Sequence, residues 1–264
     1  MVNSINIMLP DGSKKVFEGT TTGAEIARSI GPGLAKSAIA AVVNGIEWDL
    51  DRLIDRDASV SIITRDSDEA LPLLRHDCAH VMAEAVKELW PDVQVTIGPA
   101  IENGFYYDFA CETPFSQNDL SKIEERMLEI IARDEVITRE IWDRERAINF
   151  FQEIGEHYKA EIIGDLSIDE EISIYKQGEW LDLCRGPHLP STGKIGKAFK
   201  LTKIAGAYWR GDSGNEQLQR IYGTCWRNEK ELKGYLKRLE EAEKRDHRKL
   251  CLLYTSDAAD DVIS

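Results

Sequence analysis

Hydrophobic and polar residues alternate in short segments at the start of the chain, and a period of two predicts β-strands. The segment Pro10-Asp11-Gly12 is typical of a turn between two such strands. Residues 23–30 instead repeat apolar positions at helical spacing and are followed by Gly31. The strands are expected at residues 4–9, 14–17, 38–43 and 59–64. This order of elements within residues 1–64 predicts a small β-grasp domain without catalytic residues of its own.

A helical pattern follows a charged hinge at residues 65–69. Apolar residues recur at helical spacing behind His76 and His80 until Pro91 ends the pattern. The two histidines are therefore expected on one face of a helix, about 6 Å apart along its axis.

The remaining chain mixes strand and helix patterns, which predicts an α/β domain with an antiparallel sheet. Its strands are expected at residues 93–97, 104–109, 136–142, 171–175, 179–183, 198–204, 207–210 and 217–223. Its helices are expected at residues 116–134 and 143–163. From residue 228 to 249, Lys and Arg mix with Glu, as is typical of a connector helix. We therefore expect an α+β chain with domains at 1–64 and 65–226 and a connector helix at 227–250.

Composition restricts the class of protein. The chain has 264 residues, 42% of them hydrophobic, and can bury a sizeable core. Five cysteines without regular spacing indicate a reducing, cytoplasmic location. No basic-then-apolar segment opens the chain, and the apolar run at residues 37–43 is too short to span a bilayer, so no membrane partner is expected. A net charge of −14 argues against a general nucleic-acid coat protein.

Charge is unevenly distributed along the chain. Residues 183–211 contain no Asp or Glu. The same stretch holds six cations, namely Arg185, Lys194, Lys197, Lys200, Lys203 and Arg210. Such a stretch would attract an anionic ligand such as a phosphate chain, or it is an ordinary solvated face, and both interpretations stay open here.

A second segment rich in reactive side chains lies at residues 182–188, where a Gly-Pro pair predicts a tight turn between Cys184 and His188. Imidazole and thiol groups are well suited to binding a metal or moving a proton near neutral pH. Three of the five histidines of the chain lie either in this segment or in the helical segment that contains His76 and His80. Alternation along the preceding strand places Asp182 on the same side as Cys184. The two segments together favour a functional site over ordinary core or surface residues.

Longer motifs connect these segments to a known family. Residues 1–64 resemble the ubiquitin-like TGS domain, a module attached to threonyl-tRNA synthetases and to some GTPases. Over residues 1–250, the chain closely resembles the TGS and editing domains of bacterial-type threonyl-tRNA synthetases. The His and Cys/His segments are also similar to those of alanyl-tRNA editing proteins. The resemblance rests on the motifs RHDCAH at 75–80, GP at 98–99, NGFYYD at 103–108, DLCRGPH at 182–188, GAYWRGD at 206–212 and RDHRK at 245–249.

Residues 251–264 depart from that family. They do not resemble the start of its class II catalytic domain, and the chain carries no class II ATP-binding motif. We interpret them as a non-native tail, the product of a truncated reading frame or a sequencing artefact. ATP-dependent activation of threonine, which the family performs at full length, is therefore not expected of this chain.

The resemblance implies hydrolysis of the ester in seryl-tRNA(Thr) at its 3′-terminal adenosine. Serine is threonine without one methyl group, and a methyl is worth only about 1–3 kcal/mol of discrimination, so a second, hydrolytic site is needed. The implied catalytic residues are His76, His80, Lys159, Asp182, Cys184 and His188. The implied substrate-binding residues are Gly98, Tyr107, Tyr175 and Arg185.

The resemblance also implies individual roles and partners. His76 is expected to orient the ribose hydroxyl, and Lys159 with Asp182 to position the attacking water. Cys184 with His188 is expected to shape the serine pocket. The expected partner is the 3′ end of tRNA(Thr), with the seryl group as substrate. We expect a monomeric fragment, because the full-length family dimerises mainly through its catalytic domain.

Two alternatives remain open. One is a zinc-dependent hydrolase of the alanyl-editing type, with the quartet His76, His80, Cys184 and His188 as ligands. The resemblance favours a site without metal or other cofactor, because threonyl editing sites are regarded as metal-free. A zincin is disfavoured because Asp77 is too short to copy the usual glutamate base. The other alternative is a non-catalytic fragment that binds tRNA or a partner and uses the quartet structurally.

Overall fold

The N-terminal part of the chain forms a five-stranded sheet with two short helices in a computed structural model that describes residues 4–257. The strand order is β2-β1-β7-β4-β5, with β1 and β7 parallel and the other pairs antiparallel. Its elements are β1 (Ser4–Met8), β2 (Lys14–Glu18), β3 (Thr21–Thr22), α1 (Gly23–Ile30), α2 (Pro32–Ser37), β4 (Ala38–Val43), β5 (Ile46–Asp49), β6 (Leu53–Ile54) and β7 (Ala58–Thr64). A capping box of Thr22 and Glu25 begins α1, whose Ile26 is fully buried. The predicted β-grasp fold is confirmed.

Two antiparallel sheets follow. The first has the order β14-β15-β10-β8, with β9 also paired to β10, and the second has the order β11-β12-β13. The elements are α3 (Ala70–Leu89), β8 (Gln94–Val95), β9 (Ala100–Ile101), β10 (Gly104–Ala110), α4 (Gln117–Arg133), β11 (Ile137–Trp142), α5 (Arg144–Glu153), α6 (His157–Asp165), β12 (Ile172–Gln177), β13 (Trp180–Leu183), β14 (Phe199–Tyr208), β15 (Gln217–Cys225) and α7 (Glu229–Asp257). The predicted α+β class is confirmed.

Helix α3 is the centre of the main core. Fourteen of its 20 residues are buried, because β10 and β15 pack on one side and α4 on another. Its amphipathic pattern is weak for the same reason, since a helix surrounded by neighbours needs apolar residues on most of its circumference. The same buried cluster includes Ile39 and Ile63 of the N-terminal sheet. Both parts of the chain therefore share one continuous core.

The single helix expected at residues 143–163 is wrong: the structure has the two helices α5 and α6. Gly155 between them has a φ of +80°, a conformation that L-residues rarely adopt, so the chain turns there. The next residue, Glu156, is buried and accepts the backbone N–H of Val95 at 2.9 Å. The turn allows α6 to approach the site from a direction that a continuous helix would not permit.

The separate strand expected at residues 207–210 is also wrong. Residues 199–208 form the single long strand β14, which pairs with β15 along its length and contains one irregularity near Lys203. A short 3-10 turn at Trp209–Gly211 ends the strand. Gly206 does not break the pairing, because a glycine within a strand weakens it without removing its backbone hydrogen bonds.

The helix expected at residues 227–250 is present as α7, which begins at Glu229. Its exposed face carries Lys–Glu pairs four residues apart, such as Lys233 with Glu229. The helix continues to Asp257, so the first seven residues of the expected tail at 251–264 are helical. Residues 258–264 lie outside the described residues. Within the described part of the chain, no helix combines the length and the apolar character that a bilayer span requires.

Polar contacts fix the N-terminal sheet against the rest of the chain. The Arg65 guanidinium donates to the carbonyl oxygens of Lys194 and Ile195, both at 2.7 Å. The Lys194 ammonium in turn donates to the carbonyl oxygen of Lys36 at 3.1 Å. Together with the shared apolar core, these contacts determine how β5 faces the second sheet.

Candidate functional site

The two histidines of α3 lie on one face, on successive turns of the helix. The ring centroids of His76 and His80 are 4.8 Å apart. His80 is buried, whereas His76 is half-buried and reaches the edge of a cavity. The helical spacing seen in the sequence thus places both imidazoles where the turn after β13 can meet them.

That turn brings the thiol to the histidines. β12 and β13 form a hairpin, and Cys184 follows its last residue, with its N–H donating to Ser173 O at 3.2 Å. The Sγ atom of Cys184 lies 3.1 Å from Nε2 of His76. The Gly186–Pro187 peptide bond is cis, and Gly186 N donates to the same sulfur at 3.3 Å.

His188 lies beneath the other two imidazoles and is held from behind. Its ring centroid is 4.6 Å from that of His76 and 4.6 Å from that of His80. Its Nδ1 atom contacts Asp77 Oδ1 at 2.5 Å, and the N–H of Leu189 donates to Asp77 Oδ2 at 2.7 Å. Asp77 is completely buried. It therefore fixes both the orientation of His188 and the chain direction after the turn.

A second buried network joins four further groups. Asp182 forms an ion pair with Lys159, accepts the Tyr107 hydroxyl at 2.7 Å, and lies 3.3 Å from Nδ1 of His80. Lys159 also donates to the Tyr107 oxygen at 2.9 Å. Burial and the Asp182 charge raise the pKa of Tyr107 well above its ordinary value, so its hydroxyl remains a donor. The network holds an ammonium and a carboxylate in fixed positions.

The Lys159 ammonium and the Asp182 carboxylate both face a cavity of about 450 Å³. Gly98 lies where the backbone must pass close to Tyr107, because a Cβ at this position would be 2.0 Å from the tyrosine ring. The rim includes the exposed Ile97. Besides Gly98, seven of the sequence-predicted site residues line this space, namely His76, His80, Tyr107, Lys159, Asp182, Cys184 and, at the rim, Arg185.

Of the remaining predicted substrate-binding residues, one lines the rim of this cavity and one lies elsewhere. Arg185 is at the rim, with a side chain that is 78% exposed and paired with Glu170. Tyr175 does not line the cavity: its ring packs against His188, with 4.1 Å between centroids. Its hydroxyl donates to Asp49 Oδ2 at 2.8 Å. A second, smaller cavity of about 290 Å³ lies on that side, between β5 and β11.

Sequence reasoning missed two carboxylates that hold the site. Asp49 belongs to the N-terminal unit, where no functional residue was expected, yet it contacts Tyr175 and the N–H of His188. Asp77 is notable in the sequence only as a residue too short to serve as a zincin base. One feature of the sequence could have identified Asp77: it follows His76 in a short polar motif within an otherwise mostly apolar helix. Asp49 had no such signal, because its contacts join residues more than 120 positions apart.

Three imidazoles and one thiol share a small buried space, so each influences the ionisation of the others. Burial would lower the pKa of His188, but Asp77 and Cys184 outweigh it and raise that pKa well above its ordinary value. Burial would raise the pKa of Cys184, but the imidazoles, His188 first, hold it well below its ordinary value. Burial lowers the pKa of His80, which favours a neutral ring. The arrangement favours a thiolate beside an imidazolium.

The same quartet has the chemistry of a zinc ligand set. One ligand atom from each of the four side chains lies within 4.8 Å of all the others. Among the described residues, Nε2 of His188 is buried without a hydrogen-bond partner, while its Nδ1 faces Asp77. Nδ1 of His80 likewise faces Asp182. Metal-bound histidines typically direct their second nitrogen to a carboxylate in this way, so the residues present fit a zinc ion.

The basic stretch at residues 183–211 is partly neutralised by acids from other segments. Arg185 pairs with Glu170, Lys200 with Glu124, and Arg210 with Glu161 and Asp165. Lys203 lies over the ring of Tyr222, 4.6 Å from its centroid. Half of the six cations are thus in ion pairs, which favours an ordinary solvated face over a dedicated phosphate site.

Comparison with known proteins agrees with these observations. Residues 5–64 match the TGS domain, and residues 172–222 match the threonyl and alanyl tRNA synthetase second additional domain. The threonine–tRNA ligase of Paramagnetospirillum magneticum is 64% identical over 247 residues, which are 93% of this chain and 39% of that relative. Those of Rhodospirillum rubrum and Thiobacillus denitrificans are 62% and 59% identical, over 93% and 97% of this chain.

The chain spans about two fifths of the length of these curated relatives. The two domain matches lie on the two parts of the fold, the TGS match on the β-grasp sheet and the other on β12 to β15. Residues 5–64 are therefore a TGS domain, residues 172–222 belong to the second additional domain of threonyl and alanyl tRNA synthetases, and the chain is closely similar to threonine–tRNA ligases over the region that it shares with them.

Proposed function

We propose that this chain is the editing part of a threonine–tRNA ligase and hydrolyses the ester of seryl-tRNA(Thr). The observation that carries the proposal is one cavity onto which the Lys159–Asp182 pair and the His76–Cys184 pair both open. The match to the second additional domain supports the same assignment. An editing site of this kind must admit serine and repel threonine, since one methyl group gives too little discrimination at a single binding site.

Hydrolysis needs a positioned water and a group that stabilises the oxyanion. Lys159 and Asp182 are paired with each other and fixed by Tyr107 on the wall of the cavity, so together they can hold a water that lies in the cavity beside them. The Lys159 ammonium also supplies positive charge for the tetrahedral oxyanion. When the ester bond breaks, the proton released by the attacking water is transferred to the departing ribose oxygen. His76, half-buried at the edge of the cavity, would orient the neighbouring ribose hydroxyl.

The pocket for the seryl side chain would be formed around Cys184. His188 and Asp77 lie directly behind the thiol and are buried, so this wall cannot easily move back. A wall held by an ion pair is suited to excluding one additional methyl group by collision. Arg185 at the rim is available for the phosphates of the tRNA 3′ end if it leaves Glu170.

The test is release of serine from seryl-tRNA(Thr) and of threonine from threonyl-tRNA(Thr), with and without a chelator. We expect serine-selective release that survives chelation. No release at high protein concentration would contradict the proposal and leave a tRNA-binding fragment, or one that depends on the remainder of a ligase. Binding of tRNA(Thr), a cytoplasmic location and a monomeric state belong to the same proposal.

A second candidate is a zinc-dependent hydrolase at the same site. The fit of His76, His80, Cys184 and His188 to a zinc ligand set favours it. Bound zinc would supply an acidified water as nucleophile. Under this candidate, Asp77 and Asp182 orient the rings of His188 and His80. Metal content of the purified protein, together with loss of activity on chelation, distinguishes it from the metal-free mechanism.

A further inference from the structure

A carboxylate of the N-terminal unit reaches across the interface to the back of the site. Asp49 Oδ2 accepts the hydroxyl hydrogen of Tyr175 at 2.8 Å, and Oδ1 accepts the N–H of His188 at 2.9 Å. Hydrogen bonds to an ionised carboxylate are roughly twice as strong as neutral ones. Each oxygen thus holds a different segment, one on β12 and one after the turn.

These contacts act on the turn that carries the thiol. The Tyr175 ring is stacked against His188, and its hydroxyl lies under Gly186. A Cβ at Gly186 would be 2.0 Å from the Tyr175 oxygen, so the turn lies directly against this side chain. A shift of Tyr175 would therefore move the turn, and Cys184 with it.

Asp49 is itself held in place. It is the last residue of β5 and lies opposite Ala40 of β4, which belongs to the core around α3. The carbonyl oxygen of the next residue, Leu50, accepts the N–H of Ala24 at 3.0 Å. The core that places the two histidines of α3 thus also places this carboxylate.

We propose that Asp49 is a positioning residue for the editing reaction: from outside the cavity it fixes the Cys184–His188 turn against the histidine pair of α3. The N-terminal unit is then a structural part of the site, and not only an attached module. The inference rests on the proposed function. Asp49 does not line the cavity that holds the reacting groups, so its effect must pass through Tyr175 and the turn.

The test compares Asp49→Ala with Asp57→Ala. Asp57 is a matched control, because it also accepts two hydrogen bonds, from N and Nδ2 of Asn6 at 2.7 and 3.1 Å, but within the N-terminal unit. We expect Asp49→Ala to lower single-turnover kcat on seryl-tRNA(Thr) by about 10- to 100-fold with KM within about twofold, as a small displacement of a reacting group does. Tyr175→Phe, which removes only the hydroxyl, should give a smaller loss of the same type. Asp57→Ala should retain the parent kcat.

A second readout does not depend on catalysis. The amide of His188 should shift in the ¹H–¹⁵N spectrum of Asp49→Ala and keep its position in Asp57→Ala. A parent rate together with an unmoved His188 amide in Asp49→Ala would overturn the inference, and so would an equal loss of kcat in Asp57→Ala. If the parent releases no serine, the proposed function fails, and the amide shift alone decides whether Asp49 holds the turn.

Discussion

The imidazole of His188 and the carboxylate of Asp77 form a buried ion pair, with 2.5 Å between Nδ1 and Oδ1 and at most 2% of either side chain exposed. Removing one partner leaves the other charge buried without compensation, which typically costs about 3–5 kcal/mol. We expect Asp77→Ala to lower the free energy of unfolding by about this amount in urea denaturation. The double variant with His188→Ala should lose clearly less free energy of unfolding than the sum of the losses in the two single variants. Strictly additive losses would contradict an interaction between the two side chains.

Lys159 should be the residue whose removal most affects hydrolysis. Loss of one oxyanion-stabilising group typically lowers kcat by about 10²–10³-fold, and we expect this for Lys159→Met in single-turnover release of serine. Lys87→Met is the matched control. Lys87 also forms an ion pair with a buried carboxylate, that of Glu156, at 2.6 Å, but neither residue lines the cavity. A parent rate in a folded Lys159→Met protein, checked by circular dichroism, would refute the role assigned to this ammonium.

Gly98 should tolerate no side chain, because a Cβ there would overlap the Tyr107 ring. We expect Gly98→Ala to displace Tyr107 and to cost about 1–3 kcal/mol of stability, together with a loss of hydrolysis. Gly164 in α6 has no atom within 4 Å of the corresponding Cβ position. Gly164→Ala should therefore be neutral or slightly stabilising. Similar melting temperatures for the two variants would contradict the close approach at Gly98.

Glu84 lies one turn beyond His80 on α3 and should produce a pH dependence of stability. Burial raises its pKa from 4.5 to about 7. The folded chain keeps this proton between those pH values while the unfolded chain releases it, so stability falls as pH rises, by at most about 1.4 kcal/mol per pH unit. We expect Glu84→Gln to remove this slope and to be more stable than the parent at pH 7 by up to about 3 kcal/mol, measured in urea from pH 4.5 to 8.

Glu88, one further turn along the same helix, provides the opposite sign. Its hydrogen bond from Arg133 lowers its pKa below 4.5. The stability that this carboxylate contributes is therefore present above about pH 4.5 and is lost as pH falls below it. Glu88→Gln should be less stable than the parent at pH 7. The same response to pH in both glutamine variants would show that burial does not control Glu84.

The parts of the site that could be predicted from the sequence depend on local periodicity. Helical spacing places His76 and His80 on one face, and strand alternation places Asp182 on the side of Cys184, because neighbours in sequence determine both relationships. The other site residues, such as Lys159, could be assigned only through the resemblance to a known family. It could not show that Tyr175 packs behind His188 instead of lining the cavity, since that depends on how two sheets approach each other.

Tertiary contacts determine the features that the sequence did not reveal. Gly155 alone separates α5 from α6, and a single glycine within a helical pattern is compatible with either one helix or two. The break matters because it directs Lys159 towards Asp182. Asp49 could not be assigned either, since no local pattern records a hydrogen bond between residues 49 and 188.

The continuous core around α3 has a consequence for how this architecture can be recombined. Ile39 and Ile63 of the β-grasp sheet are buried in the same cluster as the helix that carries the histidine pair. Exchanging this sheet for an unrelated module would expose one flank of α3, so a graft must reproduce those contacts as well as the fold. The junction at residue 64 is a boundary in sequence, but thermal melting should cross it in one cooperative transition.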